Sequence, residues 1–155
     1  MRRDEDALMI LKNTAREGLQ KLIKHIDSLK KQDVYVGVTA SSNGMRGNAL
    51  IAMVHEYGSP VNKIPARSFL VSTIVENGDK YAKIIAETIP QAIKNGMSKE
   101  DAYARLGTVA MNDVKLKIVN GPFTPLKDAT VKRKGSSKPL IDTGMLRQSI
   151  TFEVR

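Results

Sequence analysis

The chain has 155 residues, with 25 Lys and Arg against 16 Asp and Glu, a net charge of +9 and 5% aromatics. It contains no Cys, which removes disulfide scaffolds, zinc ribbons, thiol catalysis and iron–sulfur clusters. With 41% hydrophobic and 26% charged residues, it reads as one globular domain over residues 1–155. No apolar run approaches the ~20 residues of a bilayer-crossing helix. The opening MRRDEDALMILKNTAR is basic and then acidic, unlike a secretory leader. A basic, soluble, intracellular protein is the expectation.

Residues 4 to 30 read as one long amphipathic helix. Leu8, Leu11, Ala15, Leu19, Leu22, Ile26 and Leu29 recur at steps of three and four, and no Pro intervenes. Such a helix is about 40 Å long, enough to span a globule of this size, with a diameter near 39 Å. Val34–Val38 is β-branched and predicts a strand. Residues 39–48 hold two Gly and small polar residues, a loop. Asn48 is placed to cap a short helix through Tyr57, whose apolar positions Leu50, Ile51 and Val54 share a face. Gly58 stops that helix and Pro60 prevents its resumption.

The segment Phe69–Val75 fits a strand by composition and a helix by spacing; the helix is preferred. Asn77-Gly78-Asp79 breaks it. A helix follows from Lys80 to Lys94, with Ile84, Ile85 and Ile89 on one side and Pro90 bending it. Ser98 is placed to accept the amide of Asp101, opening a helix to Val119. Residues 120–138 form a long, flexible, basic arm, with a short helix over 125–134 ending at Gly135. Asp142-Thr143 caps a last turn, and Ile150, Phe152 and Val154 alternate as a C-terminal strand. The sum is an α+β fold. A long N-terminal helix and further helices pack on a small, mostly antiparallel sheet, with an extended arm.

Catalytic patterns are poor. His25 and His55 stand apart, and the zinc motif HExxH fails because position 59 is Ser. Asp142-Thr143-Gly144 spells the aspartic-protease tripeptide, but only Leu140-Ile141 precedes it and a helix start follows. It is better read as a cap than as half of a proton-sharing carboxylate pair. Gly135-Ser136-Ser137 lacks the strand and helix of a phosphate loop. No enzyme activity, metal or cofactor is expected.

Three segments carry a signal in their order: Ala49–Gly58 with Glu56-Tyr57-Gly58, then Ile64-Pro65-Ala66-Arg67-Ser68-Phe69-Leu70, then Lys138–Ile150 with Pro139-Leu140-Ile141-Asp142-Thr143-Gly144. This order resembles the tailed-bacteriophage virion-morphogenesis family of neck, head–tail joining and tail-completion proteins, over about residues 34–155. The resemblance implies a non-enzymatic subunit of a sixfold or twelvefold ring at the head–tail junction of the virion, assembled in the host cytoplasm. The ring would complete or terminate the tail, contact portal, adaptor, neck or tail-tube proteins, and leave a channel for genomic DNA. Arg67, Phe69, Lys132, Arg133, Lys134, Lys138 and Arg147 are then the candidate partner contacts. Glu56, Tyr57, Gly58, Pro65, Asp142, Thr143 and Gly144 are assigned mainly to the fold. Tyr57-Gly58 is a helix terminus with its anchoring aromatic, Pro65 fixes the entry to the next helix, and the Asp142 cap orients the last strand. Arg67 pairs with Glu56 or with a neighbouring subunit. The alternative is a basic nucleic-acid-binding module, which the net charge allows and the scattered aromatics do not favour.

Overall fold

A computed structural model describes residues 16–20, 32–38 and 46–155. The chain divides into two units, residues 1–33 with Arg155, and Val34–Val154. In the first, residues 16–20 are helical, and the rest of the expected N-terminal helix lies outside the described residues. Asp33 and Arg155 exchange backbone hydrogen bonds of 2.8 and 3.0 Å.

The second unit is built around one long helix and one antiparallel pair of strands from its two ends. β1 (Val34–Val38) pairs antiparallel with β2 (Ile150–Val154), Val38 opposite Ile150 and Val36 opposite Phe152. Directly opposed residues share a face, so the three β1 valines lie with Ile150, Phe152 and Val154. That face rests on a helix of 22 residues, Lys99–Asn120. The expected α+β class holds: helices pack on a small antiparallel sheet.

Between the strands run α1 (Arg46–Tyr57), α2 (Val71–Glu76), α3 (Gly78–Lys83), a π-helical turn (Ile84–Thr88), α4 (Ile89–Lys94) and the long helix, α5. α6 (Asp128–Lys134) and α7 (Met145–Gln148) follow. Pro90 sits in the first turn of α4. Having no N–H, it cannot bond back to Ala86, and the wider π turn absorbs the mismatch. The same turn separates the three isoleucines expected together: Ile89 is buried, whereas Ile85 is 46% exposed.

α5 starts as the sequence predicts, with Ser98 accepting the Asp101 amide at 3.1 Å. It buries Ala102, Leu106, Ala110, Val114 and Ile118 at steps of four. Val114 and Ile118 join Phe69, Leu140, Leu146 and Ile150 in the core, each contributing about 1.5–3 kcal/mol by burial. Gly107 is buried beside that stripe, four residues after buried Tyr103. A Cβ there would lie inside the Phe152 ring, so α5 and β2 approach closely only because this residue is glycine. Ion pairs brace the other side of α5. Lys80 meets Asp113 at 2.7 Å and Lys117 meets Glu76 at 2.8 Å, and Tyr81 Oη donates to Asp113 at 2.9 Å.

Residues 120–138 are tied at both ends. Phe123 packs against the core, and Lys134 Nζ donates to the carbonyls of Lys138 and Pro139 at 2.8 and 3.2 Å. α6 ends at left-handed Gly135 as expected, but it starts at Asp128, three residues after Pro125.

Candidate functional site

The first two sequence segments meet at Glu56. Gly58 turns left-handed (φ 79°), and a Cβ on it would press the Ala66 amide nitrogen at 2.9 Å. The chain then doubles back through paired Ser59 and Ile64, whose amides and carbonyls bond at 2.9 Å. Arg67 N–H donates to the His55 carbonyl at 2.6 Å. This reversal lays residues 68–71 across the Glu56 carboxylate. Oε1 accepts Ser68 Oγ at 2.6 Å and the Val71 amide at 3.0 Å; Oε2 accepts the amides of Phe69 and Leu70, both at 2.9 Å.

Glu56 is therefore the cap of α2, supplied from fifteen residues upstream. α2 has no side-chain cap of its own at Leu70. The amides of Leu70 and Val71 at the helix start, and of Phe69 just before it, are satisfied by one anion. Burial pushes the Glu56 carboxyl up, but the Ser68 hydroxyl and the three amides outweigh it and hold the group below its ordinary value. All four acceptor positions are used.

Arg67 does not pair with Glu56, whose oxygens are already taken. Its Nε donates instead to the Thr124 carbonyl at 3.0 Å, joining the second segment to the start of the arm. Arg67 is 5% exposed and Phe69 1%, so both expected contact residues lie in the interior of their own chain. Lys132, Arg133, Lys138 and Arg147 are exposed, and Lys134 is half-buried.

The third segment reaches the same core through Leu140, Leu146 and Ile150. Its Asp142 is exposed and does not cap α7. Left-handed Gly144 (φ 80°) occupies the capping position, with no side-chain hydrogen bond, and Thr143 Oγ1 reaches the Met145 amide only at 3.4 Å. The tripeptide contributes a glycine turn, not a carboxylate cap. Pro65 lies in the irregular stretch that leads to α2 and is exposed.

α1 overturns the expected Asn48 cap. The helix begins at Arg46, so Asn48 is not its cap; Asn48 is internal and buried. Asn48, Ala52 and Glu56, spaced by four, are the buried row. Leu50, Met53 and Tyr57 lie on the opposite face, 61%, 60% and 72% exposed, followed by Val61 at 93%. Tyr57 ends the helix without anchoring it. An open groove of about 330 Å³ between α2 and α5 is lined by Glu76, Asp113 and Lys117, with these charges already in ion pairs. Among the described residues no cluster of His, Asp or Glu could hold a metal ion, and no helix is long and apolar enough to cross a membrane.

The chain matches no family model, no curated protein and no solved structure.

Proposed function

We propose that this chain is a structural subunit of a tailed-phage virion that assembles into a ring at the head–tail junction. There it would complete or terminate the tail and leave a channel for DNA. The observation that carries this reading is the outward apolar face of α1. Leu50, Met53, Tyr57 and Val61 remain largely in water, while a second copy would bury them. Large exposed apolar patches mark interaction sites.

Two further features support a structural role. The residues carrying the family resemblance work as fold determinants: Glu56 caps α2, Arg67 holds Thr124, and Leu140, Leu146 and Ile150 share the Phe69 core. The charge of +9 per copy suits a position near packaged DNA and acidic neighbours, since six copies carry about +54.

Size-exclusion chromatography with light scattering tests the reading. The wild type is expected as a discrete oligomer, and Leu50→Glu with Met53→Glu as a smaller, folded species. A wild type that stays monomeric at high concentration and ignores head–tail partners would overturn it. The alternative, a basic nucleic-acid-binding module, rests on the exposed Lys132, Arg133, Lys138 and Arg147. It requires a monomer that shifts duplex DNA with a steep salt slope.

A further inference from the structure

Among the described residues the sheet has two strands, so each strand has one edge without a partner strand. Asp33 and Arg155 exchange backbone hydrogen bonds, and along β1 the groups that face β2 alternate from there through Tyr35 and Gly37. The amides and carbonyls of Val34, Val36 and Val38 face the other way, where no described residue pairs with them. α5 covers the inner face of β1, and α1 meets the strand on that same core side, where Ala52, Val36 and Val38 share one cluster. These valines are nevertheless only half-buried, and Tyr35 is 51% exposed.

Proteins blunt an open strand edge with Lys, Pro, a bulge or an inward charge. β1 has none of these: it reads Val-Tyr-Val-Gly-Val, and its register with β2 is unbroken. β2 is less available. α7 leads almost directly into Ile150, which is 1% exposed, and Glu153 puts a charge on the strand. What fits the β1 edge is β1 itself. Turned antiparallel about Val36, a second β1 places Val36 opposite Val36 and Val34 opposite Val38, each valine exchanging both backbone bonds with its opposite. Tyr35 then stands across from Gly37, whose Cβ position has nothing within 4 Å; aromatic rings cover glycines on sheet edges in this way. No like charges meet, because the strand carries none. Registers shifted along the strand lose a valine from the pairing and break the match of Tyr35 to Gly37.

We propose that β1 is a docking edge for β1 of a second copy, which joins two two-stranded sheets into one of four strands. The contact is two-fold. It is distinct from the ring contact ascribed to α1 and does not rest on it. With five residues a side, it lies below the size of a standard interface, a weak pair that a covalent trap can capture.

The test uses engineered cysteines in the full chain, which has no Cys of its own. Tyr35→Cys and Gly37→Cys are made as separate proteins; both positions lie on the face of β1 away from α5. In the proposed register, 35 and 37 of opposite copies are direct neighbours about 4.5–5.5 Å apart, whereas 35 to 35 and 37 to 37 are diagonals of about 7–8 Å, too long for a disulfide. Under mild oxidation the mixed proteins should form a disulfide dimer about tenfold faster than either protein alone. Val34→Pro removes an outward N–H at the first position of the strand, where Pro is tolerated. In that background the mixed cross-link should slow about tenfold, with the Tm and the circular dichroism of the subunit retained. The cross-link should persist with Leu50→Glu and Met53→Glu present, which separates it from the ring reading. No cross-link in the mixture, equal cross-linking of each protein alone, a rate untouched by Val34→Pro, or loss of the cross-link in the α1 variant would overturn the proposal.

Discussion

A carboxylate with every acceptor position filled has no role left in proton transfer or metal binding, and Glu56 is such a group. Its work is to hold the start of α2, and that makes stability pH-dependent. The folded pKa lies below the ordinary value, so this contribution is present above the unfolded pKa of about 4.3 and is lost as pH falls through the folded value. Glu56→Gln replaces one acceptor oxygen with a donor facing amides and should destabilise by about 2–3 kcal/mol at neutral pH. Its urea midpoint should also vary less than the wild type's between pH 5 and pH 3. An identical pH profile for the two proteins would remove Glu56 as the acid-sensitive element. Gly107 makes a second single-residue case. Gly→Ala inside a helix usually stabilises by roughly 0.8–1 kcal/mol, yet here the methyl meets the Phe152 ring, and overpacking costs about 1–3 kcal/mol. Gly107→Ala should therefore lower the denaturation midpoint. A higher midpoint would mean that β2 shifts freely away from α5.

At the level of elements, legibility followed local chemistry. The Ser98 cap, the stop at Gly58, the end of α6 at Gly135 and the alternation of β2 each depend on residues within a few positions, and each stands where the pattern puts it. α1 misled for a physical reason. Leu50, Ile51 and Val54 have core-like periodicity, but the inner side belongs to Asn48, Ala52 and Glu56, because α2 draws its cap from that side. A small alanine lets α1 approach α7 and β1. Nothing within α1 announces that a helix start fifteen residues later will need an acceptor. Asp142 misled in the opposite way: Asp-Thr before a short helix is a capping signature, yet Gly144 already supplies the turn. In the candidate site, the residue types were visible and their partners were not. Arg67 and Glu56 are both motif residues, but one bonds a distant carbonyl and the other a distant helix start. The apolar face of α1 is the consequence of this arrangement, and burying it between copies is what the Leu50→Glu, Met53→Glu measurement examines.

For the whole molecule, the decisive question is what meets the exposed cations. Lys134 is excluded from that role by its inward fold, which leaves Lys132 and Arg133 on α6, Arg147 on α7, and Lys138, exposed although its Nζ reaches the Val119 carbonyl at 3.4 Å. Under the neck reading, a ring of such subunits would repel itself unless acidic surfaces lay against it, and complementary charge would add specificity to the joint. Replacing Lys132, Arg133 and Lys138 with Ser should leave monomer stability within about 0.5 kcal/mol, as for surface sites generally. Under the neck reading, the triple variant should fail to join heads to tails. Any weak duplex binding should keep its salt dependence. If the cations instead track phosphates, the slope of log affinity against log salt should flatten by about 0.9 for each phosphate no longer neutralised, and joining should proceed. Normal joining with an unchanged slope would leave these three cations as solvated surface and return the question of partners to α1.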